Sequence, residues 1–294
     1  MLFLSIHRRS LLASFARALC LALLCLVAPA LRADAPPAQG FPGQFAPTPP
    51  DWRFPVWPSG CHHFKGNERV ACLEFIVSDF GRLARFAGAN KLLAPPKPEE
   101  TRVVFFGDSI TDNWSDASSA GFFPGKPYLN RGIGGQTTTQ MLLRLRADVV
   151  ALQPKAVVIL AGTNDVAGNS GPAPVSMIED NLSTLSELAH ASGIKVVLAS
   201  LLPVLDGKKD EHGRVIVQTK DRPPETLRAL NRWLSEYAKA KGHVYLDYQS
   251  AVADSEGRLR PELTDDGLHP NAAGYKVMAP LAEQAIALAL GTEH

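Results

Sequence analysis

The chain has 294 residues, of which 46% are hydrophobic and 20% are charged. This composition is typical of a globular protein, and the length allows one large α/β domain with a well-buried core. The formal net charge is +1, and no basic run or interleaving of basic and aromatic residues is present. The sequence therefore offers no electrostatic support for nucleic-acid binding, and we predict no nucleic-acid partner.

The first 33 residues have the pattern of a secretory signal peptide. His7-Arg8-Arg9 precedes an apolar stretch from about Leu11 to Ala30, and small residues follow it. Arg17 interrupts the apolar stretch, which disfavours a permanent membrane span. Cleavage after Ala33 would leave 26 Lys and Arg against 29 Asp and Glu, a net charge of −3. We therefore predict a periplasmic or secreted protein with no stable membrane span in its mature form.

Residues 34–60 are rich in Pro and Gly, which predicts an extended leader. Removal of the signal peptide would leave two cysteines, Cys61 and Cys72. Two cysteines in an exported chain most simply form one disulfide. The neighbouring His62-His63 raises the alternative of a metal site, but a structural zinc site usually takes four protein ligands at typical spacings. This set is incomplete, so we predict the disulfide and no metal.

Residues 61–95 predict a helical extension, because apolar residues recur near helical spacing from Val70 to about Asn90. Short apolar runs then alternate with amphipathic stretches. This alternation predicts a parallel five-stranded sheet with helices on both faces, a three-layer α/β sandwich within residues 61–294. The predicted strands lie at 102–107, 128–130, 156–161, 194–199 and 243–247, and the predicted helices near 137–151, 176–192, 225–241 and 270–290.

Four polar segments punctuated by glycine follow the predicted strands. In open parallel sheets, ligands bind at the carboxyl ends of the strands, so these segments are expected to converge in space. They are Gly107-Asp108-Ser109-Ile110-Thr111, the segment 130–137, Gly162-Thr163-Asn164-Asp165 and Asp265-Asp266-Gly267-Leu268-His269-Pro270.

These segments contain the groups that acyl transfer requires. A serine hydroxyl is a poor nucleophile until a base takes its proton, and histidine is the side chain best suited to exchange protons near neutral pH. We predict Ser109 as the nucleophile and His269 as the base. Asp266 lies three residues before His269, with Gly267 permitting a tight turn, so its carboxylate can orient the imidazole. Asp265 is the alternative orienting carboxylate. The oxyanion donors that we predict are the N–H groups of Ser109 and Gly135 and the side-chain amide of Asn164.

The four segments together resemble the conserved blocks of the SGNH (GDSL-like) hydrolases. The resemblance covers residues 100–290, and further stretches at 122–127 and 270–275 resemble a bacterial lipase/acylhydrolase branch. It implies a flavodoxin-like sheet, metal-independent two-step ester hydrolysis and no cofactor. It also implies the catalytic triad Ser109, Asp266 and His269 and the choice of Gly135 over Gly132 or Gly134, since Gly135 precedes Gln136-Thr137, where many relatives have Asp-Thr.

The predicted function is therefore a serine esterase that acts on short-chain esters, including acetyl groups on carbohydrates. Two alternatives remain at this stage. One is a metal-dependent phosphoesterase, because the side chains at the strand ends include potential oxygen and nitrogen ligands, namely those of Asp108, Asp112, Asn164, Asp165 and His269. The other is a non-catalytic carbohydrate-binding protein on the same fold. The charged segment 205–221 is interpreted as a solvated loop or as a rim of the substrate cleft.

Overall fold

A computed structural model describes residues 65–115 and 121–292 of the chain. Five parallel strands form one sheet in the order β2-β1-β3-β4-β5. The order reverses between β1 and β3, which are direct neighbours, and this reversal is the topological switch point at which open α/β sheets bind ligands. The prediction of an α/β fold with a parallel five-stranded sheet is confirmed. The strands are β1 (Val103–Gly107), β2 (Tyr128–Gly132), β3 (Ala156–Leu160), β4 (Lys195–Ala199) and β5 (Val244–Leu246).

The helices cover both faces of the sheet. The four long helices predicted from the sequence all form, with ends within three residues of the predicted ones. In chain order the helices are α1 (Gly66–Ser78), α2 (Ala84–Leu92), α3 (Ser109–Asp112), α4 (Thr138–Asp148), α5 (Thr163–Val166), α6 (Val175–Ala191), α7 (Pro224–Lys241), α8 (Tyr248–Val252) and α9 (Ala272–Leu290).

Each face of the sheet has its own apolar core. On one face, side chains of α4, α6 and α7 pack against the sheet, with Met141, Leu182 and Leu234 among the buried members. On the other face, Tyr275 and Met278 of α9 pack against the opposite side of the same strands. Every residue of β1 and β3 is buried, because these central strands are covered on both faces. Continuous apolar runs, rather than alternating ones, are the sequence pattern of such strands.

The helical extension before β1 differs from the prediction. The sequence pattern from Val70 to about Asn90 predicts one helical stretch, but the structure has two helices, α1 and α2, separated at residues 79–83. The Asp79 carboxylate accepts hydrogen bonds from the N–H groups of Leu83 and Ala84, at 2.8 and 2.9 Å, so it caps the second helix. Arg82 has a φ of 55°, which no continuous α-helix allows. The hydrogen bonds to Asp79 and the left-handed backbone at Arg82 therefore separate the two helices, although the apolar residues keep helical spacing.

Several predictions fall outside the described residues. The signal peptide at 1–33, the leader at 34–60, Cys61 and the side chain of Cys72 all lie there, so export, cleavage and the disulfide stay predictions. Within residues 65–115 and 121–292, no helix has both the length and the apolarity needed to cross a membrane.

Candidate active site

The parallel register brings three of the polar segments to one edge of the sheet. Gly107 at the end of β1 is paired with Gly132 of β2 on one side and with Leu160 of β3 on the other. The three strands therefore end at the same level of the sheet, and the segments that follow them lie next to one another.

The first segment presents Ser109 at the start of the one-turn helix α3. Asp108 caps this helix, because its carboxylate accepts a hydrogen bond from the N–H of Ile110 at 3.0 Å. This contact braces the loop around Ser109. A Cβ atom at Gly107 would lie 2.2 Å from Oγ1 of Thr111 and 2.7 Å from the carbonyl oxygen of Leu160. Only glycine therefore allows the strand to turn into the helix at this point.

Ser109, His269 and Asp266 form a continuous hydrogen-bonded chain. Oγ of Ser109 lies 2.8 Å from Nε2 of His269, and Nδ1 of His269 lies 2.6 Å from Oδ2 of Asp266. A carboxylate accepts and cannot donate, so Nδ1–H donates to Asp266 and the lone pair of Nε2 faces the serine hydroxyl. The structure thus brings together the three residues that the sequence predicts as a triad, although Ser109 and His269 are 160 residues apart in the chain.

Asp266 is held as an anion by its neighbours. Partial burial acts to raise the pKa of its carboxyl group, but the hydrogen bonds from His269 and Leu268 and the electrostatic attraction to His269 outweigh burial and hold the pKa well below its usual range. Oδ1 of Asp266 accepts from the backbone N–H groups of both residues, at 2.8 and 2.9 Å. The alternative, Asp265, is exposed and its carboxylate binds the side chain of Asn271 instead.

Hydrogen bonds from two residues of another segment hold the backbone of the turn that carries Asp266 and His269. The N–H of Leu205 donates to the carbonyl oxygen of Gly267 at 2.8 Å, and Nε2 of Gln218 donates to the carbonyl oxygen of Asp266 at 3.1 Å. Segment 205–221, predicted as a solvated loop or a cleft rim, therefore also braces the acid–base turn.

Of the three glycines at the end of β2 and in the loop after it, Gly135 has the N–H that is free to bind a substrate. The N–H of Gly132 donates to Oδ1 of Asn130 at 2.8 Å, and the N–H of Gly134 donates to Oδ2 of Asp112 at 3.0 Å. Within the part of the chain that the structure describes, the N–H groups of Gly135 and Ser109 donate to no protein acceptor. Gly135 has a φ of 77°, a conformation that glycine adopts without strain.

Asn164, the third predicted donor, is buried beside this loop. Its Nδ2 donates one hydrogen to the carbonyl oxygen of Gln136 at 3.0 Å, which leaves its second hydrogen for a ligand. Its Oδ1 accepts from Nδ2 of Asn169 at 2.9 Å and from Nη2 of Arg222 at 3.4 Å. The sequence interpretation missed Asn169 and Arg222, because a Gly-Asn-Ser-Gly turn and a lone arginine before a helix carry no signal of a site.

Gln136 stands where many relatives of the predicted family have aspartate, and here it has a structural role. It is buried, its Nε2 donates to the carbonyl oxygen of Gly81 at 2.9 Å, and its Oε1 accepts from Nε of Arg144 at 2.5 Å. Arg144 in turn donates to the carbonyl oxygen of Gly107 at 2.9 Å. The glutamine therefore connects the segment before β1 to the strand end that carries Ser109.

The two buried aspartates near the site are engaged in the protein's own structure. Burial raises the pKa of Asp108 to about 6, and burial likewise raises that of Asp165 to about 6. Asp165 accepts hydrogen bonds from the N–H and the hydroxyl of Thr138, so it braces the start of α4. Among the described residues, no group of three His, Cys, Asp or Glu side chains is arranged to hold a metal ion. Asp108 and Asp165, two of the five side chains that suggested a phosphoesterase, thus serve to cap a helix and to brace the start of another.

Comparison with known proteins gives a consistent result. Residues 105–277 match the GDSL-like Lipase/Acylhydrolase family. The structure is also similar to the crystal structure of a GDSL-like lipase from Bacteroides thetaiotaomicron VPI-5482. The two share 39% sequence identity with a TM-score of 0.64, and the match covers 72% of this chain and 100% of the lipase chain.

Two curated relatives are named for acetyl-ester hydrolysis. The platelet-activating factor acetylhydrolase IB subunit alpha2 of Rattus norvegicus is 26% identical over 207 residues, which cover 66% of this chain and 80% of the relative. The acetylxylan esterase of Geobacillus stearothermophilus is 25% identical over 209 residues, which cover 60% of this chain and 90% of the relative. The chain spans only 52% of the length of a Bacillus subtilis lipoprotein to which it is 33% identical over 126 residues.

Proposed function

This chain belongs to the GDSL-like lipase/acylhydrolase family, whose members are carboxylic ester hydrolases, and from this premise we propose that it is a serine esterase with Ser109 as its nucleophile. The observation that carries the proposal is the hydrogen-bonded chain from the Ser109 hydroxyl through His269 to Asp266. A hydroxyl attacks an ester only when a base removes its proton, and this chain supplies the base and the carboxylate that orients it.

In the first half of the proposed reaction, Oγ of Ser109 attacks the ester carbonyl carbon while Nε2 of His269 takes the hydroxyl proton. The carbonyl electrons move onto oxygen, and the anionic Asp266 stabilises the imidazolium that forms. When the tetrahedral intermediate collapses, the bond from carbon to the alcohol oxygen breaks, and the imidazolium returns the proton to the departing alcohol. The acyl group is left on Ser109.

In the second half, water attacks the acyl-serine and His269 takes one of its protons. Collapse of this intermediate breaks the bond to Oγ, which recovers a proton from His269, and releases the carboxylic acid. In both halves the oxyanion is stabilised by the N–H groups of Ser109 and Gly135 and by Nδ2 of Asn164, all of which have a hydrogen to offer. Donors placed in advance stabilise the charge without reorganisation during the reaction.

The substrates that we propose are short-chain acyl esters, in particular acetyl groups on carbohydrates. The support is that two relatives of different kinds are named for acetyl hydrolysis, one for platelet-activating factor and one for acetylxylan. The residues beside Ser109 also favour a small acyl group, because Gly134 and the partly exposed Asp112 offer little apolar surface to a long chain.

Turnover of p-nitrophenyl acetate tests the nucleophile. Ser109→Ala should lose activity by at least about a thousandfold with an unchanged unfolding temperature. The control is Ser192→Ala, because Ser192 is exposed and its hydroxyl bonds to the carbonyl oxygen of Leu188 in the preceding helix. This variant should retain wild-type activity. A serine-directed organophosphate should abolish the activity and exhaustive chelation should not. Activity that chelation removes and the organophosphate spares would indicate the phosphoesterase instead. Sugar binding without any turnover would indicate the binding protein.

An acyl-length series tests the substrate class. We expect kcat/KM to be highest for acetyl among p-nitrophenyl esters, and acetate release from acetylated xylan to exceed that from an acetylated phospholipid. A higher kcat/KM for octanoyl esters than for acetyl esters would refute the short-chain preference. Preferential cleavage of the phospholipid would refute the carbohydrate part alone.

We also propose that the protein acts outside the cytoplasm. The support is the basic and apolar pattern of residues 1–33 and the similarity to a lipoprotein. N-terminal sequencing of the protein recovered from the periplasm or medium of an expressing bacterium should begin near residue 34, and recovery of the full-length chain from the cytoplasm alone would contradict the proposal.

A further inference from the structure

Asn169 lies outside the segments that supply the reacting groups, in the turn that follows α5. Its backbone N–H donates to the carbonyl oxygen of Asn164 at 2.9 Å, which closes this turn over the start of α5. The side chain is half-buried and points from the turn toward the loop after β2.

The side-chain amide of Asn169 joins two of the proposed oxyanion donors. Nδ2 donates to the carbonyl oxygen of Gly135 at 3.2 Å and to Oδ1 of Asn164 at 2.9 Å. An amide nitrogen has two hydrogens, so these two contacts use both of them. Since both partners are oxygen acceptors, an amide turned the other way would place its oxygen against two oxygens and lose both bonds.

The contact to Asn164 decides which way the amide of that residue faces. When Oδ1 accepts from Asn169, Nδ2 must point to the other side, where it donates to the carbonyl oxygen of Gln136 and keeps one hydrogen for the substrate. The contact to Gly135 fixes the peptide unit that follows this residue, next to its free N–H. A single side chain therefore sets the orientation of one donor and the backbone position of another.

We infer that Asn169 is a positioning residue that holds the two remote halves of the oxyanion hole at a fixed separation before substrate arrives. The inference rests on the proposed esterase function. Asn169 touches neither Ser109 nor His269 in this arrangement, so it affects the reaction only through the donors. Because the donors bind the oxyanion more strongly than the ground-state carbonyl, misplacing them should lower kcat and leave KM nearly unchanged.

The experiment measures kcat and KM for p-nitrophenyl acetate in Asn169→Ala. We expect kcat to fall by roughly 10- to 100-fold, less than the hundred- to thousandfold that loss of one donor typically causes, with KM within about threefold of wild type. The neighbouring Ser170→Ala is the matched control, because Ser170 lies in the same turn and bonds only to the hydroxyl of Thr137. It should stay within about twofold of the wild-type kcat.

A double-mutant cycle separates positioning from a general loss of structure. In an Asn164→Ala background Asn169 has one donor fewer to position, and only its contact with Gly135 remains. Its removal there should therefore cost less than about fivefold, well below its effect in the wild type. Independent, multiplicative losses would overturn the inference, and so would a wild-type kcat in Asn169→Ala. If that variant does not fold, Asn169→Asp tests the same point, because it keeps the volume and places an acceptor where two hydrogens were donated. It should lose at least as much kcat, and a wild-type kcat would again overturn the inference.

Activity measurements on two variants distinguish a failure of the proposed function from a failure of the role of Asn169. If Ser109→Ala hydrolyses esters as well as the wild type does, the proposed function is wrong. If Ser109→Ala is inactive and Asn169→Ala has a wild-type kcat, only the role of Asn169 is wrong.

Discussion

Gly267→Ala should disable the site without touching a reacting group. Gly267 lies between Asp266 and His269 with a φ of +84°, and a Cβ atom there would lie 2.0 Å from the carbonyl oxygen of Leu205. Ordinary contacts between heavy atoms lie near 3.5 Å, so the turn or residue 205 must move by about 1 Å or more. The shift would break the 2.8 Å hydrogen bond from Leu205 to the carbonyl oxygen of Gly267.

The size of the effect follows from these contacts. A left-handed conformation costs an alanine about 1–2 kcal/mol and a lost backbone hydrogen bond about 1 kcal/mol, so the free energy of unfolding should fall by about 2–3 kcal/mol. His269 must keep its 2.8 Å contact with Ser109, and a displacement of about 1 Å near reacting groups typically costs about a hundredfold in rate. We therefore expect kcat/KM for p-nitrophenyl acetate to fall by about two orders of magnitude.

Gly257→Ala is the matched control for this prediction. Gly257 has a similar φ of +77°, but a Cβ atom there would meet nothing within 4 Å. It should lose about 1–2 kcal/mol of stability from strain alone and keep its kcat/KM. Urea unfolding and ester hydrolysis, measured on both variants, separate strain from displacement. Wild-type kcat/KM in Gly267→Ala, or an equal loss of kcat/KM in Gly257→Ala, would refute the reasoning.

Three further substitutions test other parts of the structure. Asp266→Asn keeps the acceptor for two backbone N–H groups but loses the carboxylate that fixes the imidazole tautomer. We therefore expect kcat to fall by about 10⁴ with little change in unfolding temperature. A fall in kcat of less than tenfold would contradict the assignment of Asp266. Asp108→Asn removes a carboxyl group whose pKa burial raises from 3.8 to about 6. The folded wild type holds this proton more tightly than the unfolded chain does, so wild-type stability falls as pH rises between these values. The variant should therefore gain about 2 kcal/mol relative to the wild type between pH 4.5 and pH 7.5 in urea titrations, whereas a constant difference would exclude this linkage. Arg144→Met leaves the buried Asp148 without its cation and should cost about 3–5 kcal/mol of unfolding free energy; a loss below about 1 kcal/mol would show that the ion pair is dispensable.

The sheet could be predicted because its strands are buried on both faces. In that setting β1 and β3 need only apolar residues, and a continuous apolar run between polar glycine-rich segments is a strong signal. The same logic locates the site, since the carboxyl ends of parallel strands meet at one edge. Ser109, Asn164 and His269 can be identified as a set, because each follows such an end or closely precedes the last helix, within a short motif.

The supporting contacts could not be predicted, because each depends on residues far apart in the sequence. Arg222 reaches Asn164 across 58 positions, and Gln136 reaches the carbonyl oxygen of Gly81 across 55. A periodic pattern describes which face of an element is apolar, and it does not describe which polar side chain meets which backbone group. The division of the first helical stretch was missed for a related reason, since a cap by Asp79 competes with the apolar spacing around it.

The supporting residues that the sequence does not reveal share one physical role, which is to fix the positions of exposed side chains. The side chains of His269 and Asp266 are 29% and 40% exposed, so burial alone does not fix them. In the proposed reaction this exposure lets a substrate reach His269. Their positions must instead be set by hydrogen bonds from groups behind them, such as the fully buried Thr264, whose hydroxyl accepts from the N–H of Gly267 at 2.9 Å. In a site preorganised in this way, the geometry of the exposed residues depends on the exact positions of their buried neighbours. Substitutions at those neighbours should therefore lower kcat in this enzyme while leaving every group that meets the substrate chemically intact.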